Sequence, residues 1–138
     1  MTTWLVIEDE PDVQDMVGAM FHVWGVDGLA FSDGLSAIAW IQAVDDGLVA
    51  GDYPVLVLLD LRLPNLSGVE VSLRLRRSNQ LSGIAIVLMT AYRLNPTQEQ
   101  QIREMSGADA LLYKPLPSMD EFRLFLEAVV ARREQASA

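Results

Sequence analysis

Pro54-Val55-Leu56-Val57-Leu58-Leu59-Asp60 decides how the chain is read: five consecutive apolar residues follow a proline and end on an acid. A strand wetted on one face alternates apolar and polar residues. An unbroken apolar run of this length therefore predicts a central strand covered on both sides, the pattern of a parallel sheet. An acid at the buried end of such a strand is costly unless it is ligated or paired. Asp60 is thus the first candidate functional residue.

Upstream, Trp4 to Ile7 reads as a short buried strand. Val13, Met16, Val17, Met20, Phe21 and Trp24 then recur at helical spacing, predicting a helix from near Pro11 to Gly25. Val26 to Phe31 is a second strand interrupted by Asp27-Gly28, Gly34 to Val44 a second helix, and Asp45 to Tyr53 a loop. Downstream of Asp60, a turn-rich loop, Arg62 to Gly68, leads into a helix from Val69 to about Arg77. Ile84 to Met89 is another buried strand, ending on Thr90. Asn95-Pro96 with Gln98 marks a helix start, and that helix runs to Gly107. Ala110 to Tyr113 is the last strand, ending on Lys114-Pro115. Ser118-Met119-Asp120-Glu121 is a capping box opening a helix whose apolar stripe is Phe122, Phe125, Leu126, Val129 and Val130. Five strands alternating with five helices predict an α/β fold, doubly wound, with helices on both faces of the sheet.

The 138 residues leave room for one domain, and 51% hydrophobic with 21% charged residues and a mean hydropathy of +0.22 suit a filled core. The longest apolar run has 6 residues, against about 20 for a membrane-spanning helix, so no membrane insertion is expected. The N-terminus carries no secretory signature, so a cytoplasmic location is expected. Zero cysteines exclude disulfides, thiolate metal sites and a cysteine nucleophile. A net charge of −9 disfavours direct nucleic acid binding. Residues 1–60 hold eleven acids and no base, whereas 61–138 hold eight acids and all ten bases, nine arginines and the single lysine, Lys114. Arg74, Arg76 and Arg77 read as a solvated basic face, His22 as an exposed residue, and the methionines and tryptophans mostly as core.

Ligands of doubly wound sheets bind beyond the carboxyl ends of the strands. Glu8 and Asp9 follow the first strand, Asp60 ends the third, Thr90 the fourth and Lys114 the fifth. Three carboxylates that converge repel one another unless a hard cation joins them, and an all-oxygen site with few protein ligands suits Mg2+. A carboxylate beside such an ion attacks phosphorus to give an acyl phosphate, with an ammonium and a hydroxyl neutralising the transferring group.

Glu8-Asp9-Glu10-Pro11, Leu58-Leu59-Asp60-Leu61-Arg62-Leu63-Pro64 with Ser67-Gly68, Met89-Thr90-Ala91, Gly107-Ala108-Asp109 and Lys114-Pro115-Leu116 together resemble the receiver domain of two-component response regulators, the CheY-like superfamily. The resemblance runs from about Leu5 to Val130. It implies a flavodoxin-like five-stranded sheet of order 2-1-3-4-5, with residues 1–131 as the receiver and 132–138 as a helix end or tail. It implies Asp60 as phosphoacceptor, Mg2+ held by Asp9, Asp60 and the Arg62 backbone carbonyl with Glu8 acting through water, and Thr90 and Lys114 on the phosphoryl oxygens. The phosphodonor would be a sensor histidine kinase or a histidine phosphotransfer protein, and the face of the last two helices and last strand would serve output or a homodimer.

Two departures bear on the switch. The position three before the lysine, commonly aromatic in the family, is Leu111, and Tyr113 on the same face of the strand, packing with Tyr92, is expected to take its part or to hold the switch partly closed. The positions two past the aspartate and two past the threonine, which tune phosphoryl lifetime, are Arg62 and Tyr92. Two other readings stand beside the receiver: a receiver-like interaction module without phosphoryl turnover, and a haloacid-dehalogenase-type phosphatase. The phosphatase needs a second acid where this chain has Arg62.

Overall fold

The computed structural model describes residues 2–137. Met1 and Ala138, the outer ends of the units 1–131 and 132–138, lie outside the described residues. In chain order the elements are β1 (Thr3–Ile7), α1 (Pro11–Val23), β2 (Asp27–Phe31), α2 (Gly34–Asp45), β3 (Leu56–Asp60), α3 (Gly68–Arg76), β4 (Ala85–Thr90), α4 (Pro96–Ser106), β5 (Ala110–Tyr113) and α5 (Met119–Ser137). The strands form one parallel sheet in the order β2-β1-β3-β4-β5. β3 lies at its centre, and all five of its residues are buried.

Alternation along each strand divides the core between the two faces. Trp4, Val6, Leu56, Leu58, Val87 and Met89 face α1 and α5, meeting Val17, Phe21, Phe122, Leu126 and Val129. Leu5, Ile7, Val57, Leu59, Ile86 and Leu88 face the other way, onto Ala37, Ile41 and Val44 of α2 and Val71 and Leu75 of α3. α4 is embedded least: Ser106 is its one buried residue and Ile102 contributes a partly buried side chain. Among the described residues no helix is long and apolar enough to cross a membrane.

The element boundaries differ from the sequence reading by a residue or two. β2, β3 and β4 begin one residue later than the apolar runs, at Asp27, Leu56 and Ala85, because the first apolar residue of each run lies before the ladder. α1 ends at Val23, and Trp24 and a left-handed Gly25 (φ 74°) turn the chain. α3 starts at Gly68 because Ser67 is its N-cap, in a reciprocal box with Glu70.

Other expectations need larger correction. Arg74 and Arg76 are not a solvated face. Arg74 pairs with Asp45 at 2.9 Å. Arg76, its side chain 17% exposed, donates to the carbonyls of Ser82, Ile84 and Gly107 and pairs with Asp109 at 3.0 Å. Carbonyls left open at the end of α4 and before β4 draw its guanidinium inward. Arg77 is exposed, as is His22. Met16 is 41% exposed, because it lies at the margin of the α1 stripe, and Met105 and Met119 are also exposed. Trp4 is buried, and Trp24 and Trp40 are partly so.

Candidate functional site

β1, β3, β4 and β5 run in the same direction, so their carboxyl ends share one edge of the sheet. Glu8, Asp9, Asp60, Thr90 and Lys114 meet there. Carboxylate oxygens of Glu8, Asp9 and Asp60 all lie within 4.8 Å of one another. Glu8 is 0% exposed, Asp60 and Thr90 are buried, and Asp9 is open to solvent. A pocket of about 280 Å³ opens over them, lined by Asp9, Glu10, Asp60, Arg62, Thr90, Ala91, Tyr92 and Lys114.

Lys114 joins the acids. Its Nζ lies 2.7 Å from Asp60 Oδ2 and 2.8 Å from Glu8 Oε2, with Glu10 Oε1 at 3.5 Å. The backbone N–H of Lys114 donates to the Thr90 carbonyl at 2.8 Å, which registers β5 against β4 at the site. Backbone donors hold the carboxylates from the other side: Arg62 N–H reaches Asp60 Oδ1 at 2.8 Å and Glu10 N–H reaches Glu8 Oε1 at 3.1 Å. Gly68 is required for close approach, because a Cβ there would come within 2.4 Å of the Asp60 carbonyl oxygen.

Burial pushes the Glu8 carboxyl up to about 7; the close ammonium of Lys114 offsets part of that rise and the neighbouring Asp60 adds to it. Burial alone would lower the Lys114 ammonium, but the carboxylates of Asp60 and Glu8 outweigh it and hold the group above its ordinary value. The donor set thus comprises three clustered carboxylates, one of them kept from ionising freely by burial, and Lys114 is the cation paired with them. It fits a hard divalent cation, which would supply the missing positive charge through oxygen ligands alone.

The pocket mouth is framed by Arg62 and Tyr92, the guanidinium carbon lying 3.9 Å from the ring centroid. Tyr113 does not pack against Tyr92. Arg93 lies over its ring at 5.0 Å, and its hydroxyl donates to Glu99 on α4 and bonds to the backbone of Leu94. Tyr92 instead carries the Arg62 guanidinium over its ring. Leu111, like Ile102 and Ala108, is partly buried against the core on the α2 and α3 side of the sheet. Asp109, which precedes β5, lies at the opposite end of the sheet, held by Arg76, Arg133 and the Ile86 N–H. Glu99 and Gln14 contribute contacts that the sequence reading did not assign, since neither lies at a strand end.

The family model described as the response regulator receiver domain matches residues 4–126. The chain belongs to that family. It is 30% identical over 131 residues, 95% of its length, to the DNA-binding dual master transcriptional regulator RpaA of Synechocystis. It is 33% identical, over 94% of its length, to the probable transcriptional regulatory protein TcrX of Mycobacterium tuberculosis. The chain covers 50% of each of those proteins, so it spans about half the length of the curated relatives it matches. Among solved structures, Vibrio cholerae CheY4 aligns with a TM-score of 0.78 at 22% identity, over 94% of this chain and 98% of that one. The receiver domain of the sensor histidine kinase PA1611 from Pseudomonas aeruginosa, which has magnesium coordinated in its active site cleft, aligns with a TM-score of 0.76 at 22% identity over the same shares. The fold is therefore the CheY-like, flavodoxin-like receiver fold, and the chain is a receiver of the two-component class.

Proposed function

We propose that Asp60 takes a phosphoryl group from a phosphohistidine on a sensor histidine kinase or a histidine phosphotransfer protein. The observation that carries this reading is the grip of Lys114 on Asp60 and Glu8, at 2.7 and 2.8 Å, within a three-carboxylate cluster at the end of the central strand. A carboxylate oxygen of Asp60 attacks phosphorus, the phosphorus–nitrogen bond breaks, and the imidazole departs with the electron pair, leaving an acyl phosphate. Asp9, Asp60 and the Arg62 backbone carbonyl would hold Mg2+, with Glu8 acting through a water. The ion would supply charge neutralisation at the phosphoryl oxygens. Lys114 transfers its ammonium from the free carboxylate to a phosphoryl oxygen, and its compact charge suits that task. Thr90 Oγ1 accepts from Tyr92 N–H at 3.1 Å, so its hydroxyl proton is available for another phosphoryl oxygen.

Arg62 and Tyr92, stacked at the pocket mouth, would set the lifetime of the acyl phosphate by limiting the approach of water. The segment acts as a phosphorylated switch that turns over its own acyl phosphate, not as an enzyme on a separate substrate, and works in the cytoplasm. Residues 1–131 form the receiver, and residues 132–137 continue its last helix. With a charge of −9, this segment does not itself bind nucleic acid; the DNA binding named for the relatives belongs to their longer chains. The face of α4, β5 and α5, with Arg93, Arg103 and Arg123, serves output or a homodimer.

Incubation with acetyl phosphate and Mg2+ tests the assignment. The chain is expected to gain one phosphoryl mass, removable by hydroxylamine, and Asp60→Asn to gain none. Undiminished labelling of Asp60→Asn would overturn the proposal.

A further inference from the structure

Gln14 stands in the first turns of α1 and does not line the pocket, yet its side-chain amide reaches the carboxyl ends of two strands. Nε2 donates to the Glu8 carbonyl at 3.0 Å, to the Phe31 carbonyl at 3.2 Å and to the Ser32 hydroxyl at 3.3 Å. Two amide hydrogens serve three acceptors, so one is shared. The Phe31 carbonyl also accepts the backbone N–H of Glu8 at 3.0 Å, and the Gln14 backbone N–H donates to the Glu10 carbonyl at 3.0 Å. The main chain of Glu8 is thereby held at both its N–H and its carbonyl. The turn so fixed, Glu8-Asp9-Glu10, presents two of the three clustered carboxylates.

The residue type matters as much as the reach. An arginine or lysine could make similar contacts, but its charge would stand beside the acid pocket and oppose a cation there. Residues 1–60 contain no base. A neutral amide fixes the turn and leaves the charge of the pocket unaltered. An interhelix or helix-to-strand tie with no bearing on the site needs one acceptor; this amide engages both strand ends and the residue before the Asp33 cap of α2.

We propose that Gln14 is a positioning residue for the divalent-cation site, holding Glu8 and Asp9 at their spacing from Asp60 by tying the β1–α1 turn to the end of β2. The proposal rests on the reading of the pocket as a Mg2+ site. Ligand-orienting groups beyond the metal's own ligands typically change metal affinity by about 10- to 100-fold, and a shift of well under 1 Å in a ligand suffices.

Amide-shift titration of the whole chain with Mg2+ tests it, in wild type and in Gln14→Met, which has similar length and no donor. The dissociation constant is expected to rise about tenfold in Gln14→Met. In the metal-free protein, the Glu8 and Glu10 amides are expected to exchange with deuterium faster than in wild type. Should Gln14→Met not fold, Gln14→Asn, which withdraws the amide by one methylene, carries the same two expectations. A dissociation constant within about twofold of wild type, with or without a lower melting temperature, overturns the proposal, since a purely structural tie would move only the melting temperature. A wild type that shows no Mg2+ shifts overturns the metal-site reading along with it, whereas a normal wild-type titration and an unaltered variant overturn this proposal alone.

Discussion

Lys114 spans two carboxylates that would otherwise repel each other, and Glu8 is the residue that bears the strain of that arrangement. Its side chain is fully buried, and its carboxyl is raised from an ordinary 4.5 to about 7, first by burial. A carboxyl that holds its proton more tightly when folded than when unfolded lowers stability as pH rises between those two values. Metal-free protein is therefore expected to lose stability from about pH 4.5 to about pH 7 and to level off above it. The contribution of Lys114, whose value is raised on folding, is fully present below its unfolded value of 10.5 and adds no slope in that window. Urea midpoints measured in a chelator should show the slope in wild type and lose it in Glu8→Gln. Added Mg2+ competes with the proton for this group, so its stabilising effect should grow with pH. An identical slope in Glu8→Gln would show that another group titrates. The site residues were legible in the sequence because each stands at the end of an apolar run. Gln14 was not, since its partner Phe31 lies 17 positions away and meets it only once β2 has paired with β1.

At the level of elements, the buried strands were legible because β3 and β4 carry unbroken apolar runs, and α4 because Asn95, Pro96 and Gln98 mark its start. Arg76 was misread because three of its acceptors are backbone carbonyls on other segments, which no side-chain pattern reveals. Tyr113 shows how an element is controlled. α4 buries little of its own surface, and the Tyr113 hydroxyl ties its first turn to β5 through Glu99 and Leu94. The bond to Glu99 and partial burial hold the phenol above its ordinary value, so the tie persists through neutral pH. Tyr113→Phe removes it. The amides of Asn95, Gln98 and Glu99 are then expected to exchange several-fold faster. Unchanged exchange there would mean that packing around Leu111 and Ile102, not the hydroxyl, holds α4.

Across the whole molecule the charge is divided: eleven acids and no base before residue 61, all ten bases after it. Asp9, Glu10, Asp12 and Asp15 are exposed beside the pocket and along the start of α1. A phosphodonor with basic residues around its histidine would be steered to this side, and exposed charges are screened beyond about 8 Å at physiological ionic strength. The phosphotransfer rate is expected to fall several-fold as salt rises from low to about 0.5 M, where screening is nearly complete; a flat profile would show that steering is absent. The central claim is narrower than the encounter: of three carboxylates within 4.8 Å of one another, one receives the phosphoryl group. Borohydride reduces an aspartyl phosphate to homoserine, which marks the acceptor permanently. Peptide sequencing after phosphorylation and borohydride treatment should find homoserine at position 60 and unmodified acids at Glu8 and Asp9; modification at either of those, with Asp60 intact, would contradict the assignment.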